Sequence, residues 1–89
     1  MKESFFVYIA LCANNSYYIG STSNLLEREK QHNAGHGSRY TQRHRPVRII
    51  YSEKFLTRKE AVKRELQLKG WSKIKKDRLI QGRHPNINK

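Results

Sequence analysis

Five side chains in this sequence depart from what packing alone would set, and their types suit phosphate chemistry: Tyr8, Tyr18, Arg28, His32 and Glu65. Glu65 is the sharpest case. On a helix turning about 100° per residue, Ala61, Val62, Leu66 and Leu68 are expected to form an apolar stripe, with Glu65 between Ala61 and Val62. A carboxylate near a core requires a partner, a cation or a metal ion. In a strongly basic chain, a lone acid in a cleft is a natural seat for Mg²⁺, which takes one or two carboxylates plus water and phosphate oxygens. The plainer alternative is an edge glutamate paired with Lys69, four residues on.

Arg28 and His32 are also four apart and share a helix face near Leu25. An arginine there can grip a phosphate through its fork, and a histidine can accept or relay a proton. The alternative is an exposed basic face. Tyr8 and Tyr18 sit mid-strand on two consecutive strands. They share a sheet face only if the connecting loop holds an odd number of residues, as Ala13-Asn14-Asn15 would; ordinary cross-strand packing is the competing account. Gly20 inside a strand marks close approach of a backbone or ligand. No His or Cys pair has metal-cage spacing, no Ser-His-Asp set can be argued, and no glycine-rich phosphate loop is present.

The chain has 89 residues, one domain's worth, with 19 Lys+Arg against seven Asp+Glu, a net charge of +12. The charge is uneven: residues 28–89 hold eighteen bases and five acids, hence +13. Such a field favours a polyanion, and nucleic-acid backbones are the commonest one for an intracellular protein. Apolar residues are 36 %, enough for one modest core because three Phe, five Tyr and one Trp bury much area each. Single Cys12 excludes an internal disulfide framework and a Cys-based zinc finger. No apolar run reaches membrane-spanning length and no signal peptide is read at the start, so the expectation is a soluble cytoplasmic domain without a membrane partner.

The elements that must position these groups follow from local pattern. Residues 4–12 read as a central strand and Tyr17 to Thr22 as its hairpin partner. A helix is predicted from Leu25 to Asn33, capped by Ser23 or Asn24 and stopped near Gly35. Ala34 to Pro46 reads as a long basic loop, and Val47 to Ser52 as a third strand. Thr57 with Glu60 is a capping box for a helix from Arg58 to Lys69, and Ser72 opens another from Lys73 to Gln81. The order β-β-α-β-α-α gives an α+β domain, a three-stranded antiparallel sheet with helices packed on it, over residues 1–82. Residues 83–89 are expected to be a flexible tail.

Taken in order, Phe6-Val7-Tyr8, Tyr18-Ile19-Gly20, Arg28, His32 and Glu65 resemble the GIY-YIG nuclease family from about Ser4 to Ile80. Phe6 replaces the glycine of the family's first tripeptide. Gly37-Ser38-Arg39-Tyr40-Thr41, running on to Arg45-Pro46-Val47, is similar to the small stand-alone bacterial branch, which lacks a separate DNA-binding domain. Asn86 and Asn88 are the only late candidates for the family's downstream asparagine.

The resemblance implies the GIY-YIG fold and a metal-dependent endonuclease of repair or recombination type. Glu65 would bind one Mg²⁺ or Mn²⁺, and Arg28 would brace the phosphate. Tyr8 would be the base or align the water, His32 would help accept its proton, and Tyr18 would orient the water. Arg39, Arg43, Arg45, Lys73, Lys75 and Lys76 would carry the nucleic-acid backbone. DNA, including branched or flap forms, is the expected partner ahead of RNA, with a protein partner or dimerisation left open. The alternatives are a non-catalytic basic nucleic-acid-binding module on the same fold and, behind it, a small RNA- or ribosome-associated protein.

Overall fold

A computed structural model describes residues 3–82. The elements are β1 (Phe5–Leu11), β2 (Tyr17–Thr22), α1 (Leu25–Asn33), α2 (Arg39–Arg43), β3 (Arg48–Phe55), α3 (Arg58–Lys69) and α4 (Lys73–Ile80). The three strands form an antiparallel sheet in the order β2-β1-β3, which leaves β2 on an edge. This is the α+β class and the β-β-α-β-α-α skeleton expected from the sequence, with one helix added. Residues 83–89, including Asn86 and Asn88, lie outside the described residues.

Strand alternation divides the core in two. Val7 and Ile9 of β1 point to one face and pack with Ile19, Leu68 and Leu79, beneath α3 and α4. Tyr8 and Ala10 point to the other, with Cys12, Val47, Tyr18, Leu25 and Ile49, beneath α1. A β-bulge between Ile9 and Ala10 shifts the pairing with β3, so Tyr51 lies opposite Ile9 and Ile49 opposite Ala10. Without that extra residue Ile49 and Tyr51 would share a face; with it, each joins a different half of the core. The β1–β2 register makes Tyr8 the partner of Gly20 and Ala10 the partner of Tyr18. Five residues separate the strands, 12 to 16, an odd number, with Asn15 at φ 68° closing the turn.

Two side chains of α1 anchor it to the outer edge of β3. Glu29 Oε2 accepts from the Ile49 N–H at 2.7 Å. Asn33 accepts from the Val47 N–H at 2.7 Å and donates to the Val47 carbonyl at 2.8 Å. These contacts supply partners for edge-strand groups and fix the rotation of α1. On the other face, Arg64 makes two hydrogen bonds to Glu53, at 2.8 and 3.0 Å, docking α3 against β3.

Two expectations are corrected. The segment from Ala34 to Pro46 contains α2, because Ser38 caps it by accepting from the Thr41 N–H at 3.2 Å. A one-turn helix carries too little hydrophobic period to be legible. On α3, only Ala61 and Leu68 of the expected stripe are buried; Val62 and Leu66 face solvent, 38 % and 66 % exposed. The inward face is Ala61, Glu65 and Leu68, spaced i, i+4, i+7.

Candidate active site

The site is built around the Tyr8 hydroxyl. Tyr8 is 1 % exposed, and its phenol lies across the backbone of Gly20 on the edge strand. A Cβ at Gly20 would stand 2.5 Å from Tyr8 Oη, so a glycine here is what lets the phenol reach the sheet edge. Tyr18 lies on the same face, ring centroids 6.4 Å apart, and both rings meet His32 edge-on, at 5.9 and 5.5 Å. The sequence left that shared face conditional on an odd loop, and the loop is odd.

His32 comes from the fourth turn position of α1 relative to Arg28, and it is 1 % exposed. Tyr8 Oη and His32 Nε2 are 2.8 Å apart, and His32 Nδ1 is 3.0 Å from Thr41 Oγ1. Burial, reinforced by the Arg28 charge, holds the imidazole below its usual pKa, so it rests neutral. Burial raises the Tyr8 phenol above its ordinary value; Tyr18 and Glu65 add to the rise, and Arg28 opposes it. Tyr8 therefore rests protonated.

Arg28 and Glu65 stand on helices on opposite sheet faces, yet Tyr8 senses both charges. The molecule is only 18 Å through its thinnest axis and β2 is an edge, so side chains from both faces can meet around that strand. Glu65 reaches it through Ser21 of β2, whose hydroxyl donates to Oε1 at 2.8 Å. Its other oxygen, Oε2, pairs with Lys69 at 2.9 Å, as the plainer alternative foresaw, but Lys69 is half exposed. Arg28 has a buried Nε with no hydrogen-bond partner among the described residues. A buried guanidinium N–H without an acceptor is costly, and an incoming phosphate oxygen would relieve it.

A family model described as the GIY-YIG catalytic domain matches residues 4–78, most of the chain. The chain belongs to the GIY-YIG family. Among curated relatives, the UPF0213 proteins of Staphylococcus aureus strains Mu50 and N315 are each 42 % identical over 81 residues, spanning 91 % of this chain and 99 % of theirs. Two solution NMR structures share the fold. The UPF0213 protein BH0048 from Bacillus halodurans is 32 % identical with a TM-score of 0.58, covering 92 % of this chain and 87 % of that one. The protein EF2693 from E. faecalis is 36 % identical with a TM-score of 0.60, covering 90 % and 85 %. GIY-YIG membership places the chain in an endonuclease family and makes nucleic acid its substrate class. No helix of the described residues is long and apolar enough to cross a membrane.

The six basic residues separate into two groups. Arg39 and Arg43 are exposed on α2. Arg45 is exposed but committed: Nε donates to the Gln42 carbonyl and Nη1 to the Asn33 carbonyl, both at 3.2 Å, so it closes the ends of α1 and α2. A cavity of about 440 Å³ lies there, lined by Asn33, Gln42, Arg43, Arg45 and Pro46; none of the five chemical residues lines it. On α4, Lys73 stands over the Tyr17 ring and donates to the Asn15 carbonyl at 2.8 Å, while Lys75 stands over Trp71. Lys76 is partly buried. Sequence reasoning missed Thr41, Ser38 and Ser21. The first two stood out only as part of the family-like segment from Gly37 to Thr41, with no role assigned, and Ser21 carried no signal beyond its place beside Gly20.

Proposed function

We propose that this protein is a metal-dependent endonuclease that hydrolyses DNA phosphodiester bonds, structure-directed or weakly sequence-specific, in repair- or recombination-type processing. Residues 1–82 form its nuclease domain. The observation that carries the reading is the buried Tyr8–His32 hydrogen bond, packed against Tyr18 and with Arg28 one turn before His32 on α1. A neutral imidazole hydrogen-bonded to the phenol is placed to take its proton.

Among the described residues no three His, Cys, Asp or Glu side chains cluster as a metal cage. One carboxylate at the site nevertheless fits Mg²⁺ or Mn²⁺, whose remaining ligands would be water and substrate phosphate. Glu65 would hold the ion, with half-exposed Lys69 giving way to it. When bound, the ion supplies charge stabilisation at the phosphoryl and departing oxygens.

The protein groups do the rest. Arg28 sets its guanidinium against the phosphoryl oxygens, where charge grows in the transition state. Tyr18 orients the attacking water. As the water oxygen bonds to phosphorus, its proton passes to Tyr8 Oη while the Tyr8 proton passes to His32 Nε2. The P–O3′ bond breaks, and the 3′ oxygen takes a proton from solvent. His32 returns its proton outward through Tyr8. Because burial disfavours both phenolate and imidazolium at rest, the two transfers must be concerted with attack.

The second reading, a non-catalytic DNA-binding module, draws on one observation, the Lys69–Glu65 ion pair that already neutralises the acid. A panel of linear, flap and branched DNAs incubated with and without Mg²⁺ or Mn²⁺ separates the two. Wild type is expected to cut in metal; Glu65→Gln and Arg28→Ala are each expected to lose about 10²–10³-fold with unchanged circular dichroism. If both variants cut as well as wild type, the nuclease assignment of this site falls; nicking that needs no metal removes the metal-dependent part of the reading.

A further inference from the structure

We propose that Thr41 is a positioning residue that holds His32 in the single tautomer able to take the Tyr8 proton. Its consequence for catalysis rests on the nuclease reading above; its hold on the ring does not. Thr41 is fully buried, 0 % exposed, and its hydroxyl has one proton. The Ser38 carbonyl, 3.1 Å from Oγ1, can only accept that proton, while the Ser38 hydroxyl at 3.2 Å can donate or accept. With Oγ1 donating to the carbonyl, it accepts from His32 Nδ1, 3.0 Å away. Nδ1 then carries the ring hydrogen, and Nε2 presents its lone pair to Tyr8 Oη at 2.8 Å. In the opposite tautomer Nε2 would donate to Oη, and the proton of the buried phenol would have to turn away to another acceptor. That cost falls on Tyr8, which is itself 1 % exposed.

Gly37 gives independent support. A Cβ there would overlap His32 Nδ1 and stand 2.7 Å from Thr41 Oγ1. The loop thus closes directly over this pair, shielding the Nδ1–Oγ1 bond from water that would otherwise exchange the tautomers. Tyr8, His32 and Thr41 form a one-way row of donors that starts at the sheet edge and ends on the Ser38 carbonyl, the final acceptor.

The test uses the full chain with ¹⁵N-labelled histidine. Long-range ¹H–¹⁵N spectra of wild type are expected to show His32 with Nδ1 protonated and Nε2 bare. Thr41→Val, nearly the same shape, is expected to lose that single tautomer and to slow single-turnover cleavage by about tenfold or more, within the ~10²–10⁴ that acid–base help supplies. Thr41→Ser is expected to restore both, and it guards against a Val variant that folds poorly. A proton on Nε2 in wild type, an unchanged tautomer in Thr41→Val, or a Thr41→Val protein that cuts at the wild-type rate would overturn the proposal. If the nitrogens behave as expected and no version cuts any DNA, the nuclease reading falls while the hold of Thr41 on the ring stands.

Discussion

Every group in the Tyr8–His32–Thr41 row is buried, and burial decides their protonation more than any neighbour does. His32 has its folded pKa depressed below an unfolded value of about 6.5. A depressed basic group contributes stability that is present above the unfolded pKa and is lost as pH falls through the folded one. Urea midpoints measured from pH 7.5 down to 4.5 should therefore decline below about pH 6.5, and His32→Gln should flatten that decline. The same ring must be neutral to accept a proton, so cleavage should persist below pH 6.5 and be lost only at lower pH. An acid limb centred above that value would show that His32 is not the group being read. Legibility at this scale was high for residue types and low for their partners. A histidine four residues after an arginine can be seen in a string of letters; a threonine nine residues further on that locks its tautomer cannot, because only the packing of α2 on α1 joins them.

Among the elements, the edge strand β2 matters most to the site. Gly20→Ala would drive a methyl to 2.5 Å from the Tyr8 hydroxyl in a register the flanking pairs do not release. The expected cost is about 1–3 kcal/mol with loss of the Tyr8–His32 bond, read as a lower thermal midpoint and strongly reduced cleavage. Gly70→Ala is the control. Its Cβ would meet only the Gln67 carbonyl at ordinary contact distance and its φ is −84°, so the change should be neutral or stabilising by about 0.4–1 kcal/mol. Helix α4 offers another test. Tyr17 donates to Asp77, and that bond, then burial, pushes its phenol up to about 12. A raised pKa contributes stability that is fully present below the unfolded value of about 10 and is lost as pH rises through about 12. Tyr17→Phe should remove its part of that alkaline loss, measured by far-ultraviolet circular dichroism against pH, while Tyr51 and Tyr8, also raised, keep theirs. Helix ends were legible because caps are local: Asn24, Thr57 and Ser72 each accept a backbone N–H three residues on. The orientation of α3 was not, because Val62 and Leu66 look as fit for a core as Ala61 and Leu68 until the sheet selects a face.

For the whole molecule, the governing quantity is a +12 charge on a body about 18 Å thick. Binding to duplex DNA should weaken steeply with salt, with a log–log slope near 0.9 for each phosphate neutralised. Arg39→Ala and Arg43→Ala should each reduce that slope by about 1, as measured by fluorescence anisotropy between low and physiological salt. Lys73→Ala should change it less, since that ammonium already lies over Tyr17 and bonds Asn15. Equal slopes for all three variants would mean that the exposed arginines of α2 do not meet the backbone.

Charge, element order and the kinds of side chain available were set by the sequence itself, because each depends on residues near one another in the chain or on simple sums over it. The register that seats a phenol over a glycine, the bulge that parts Ile49 from Tyr51, and the thin edge where Arg28 and Glu65 act on one hydroxyl belong to the folded molecule alone. They depend on contacts between residues 12 or more apart in the chain, and those exist only after strands have paired and a face of each helix has been chosen.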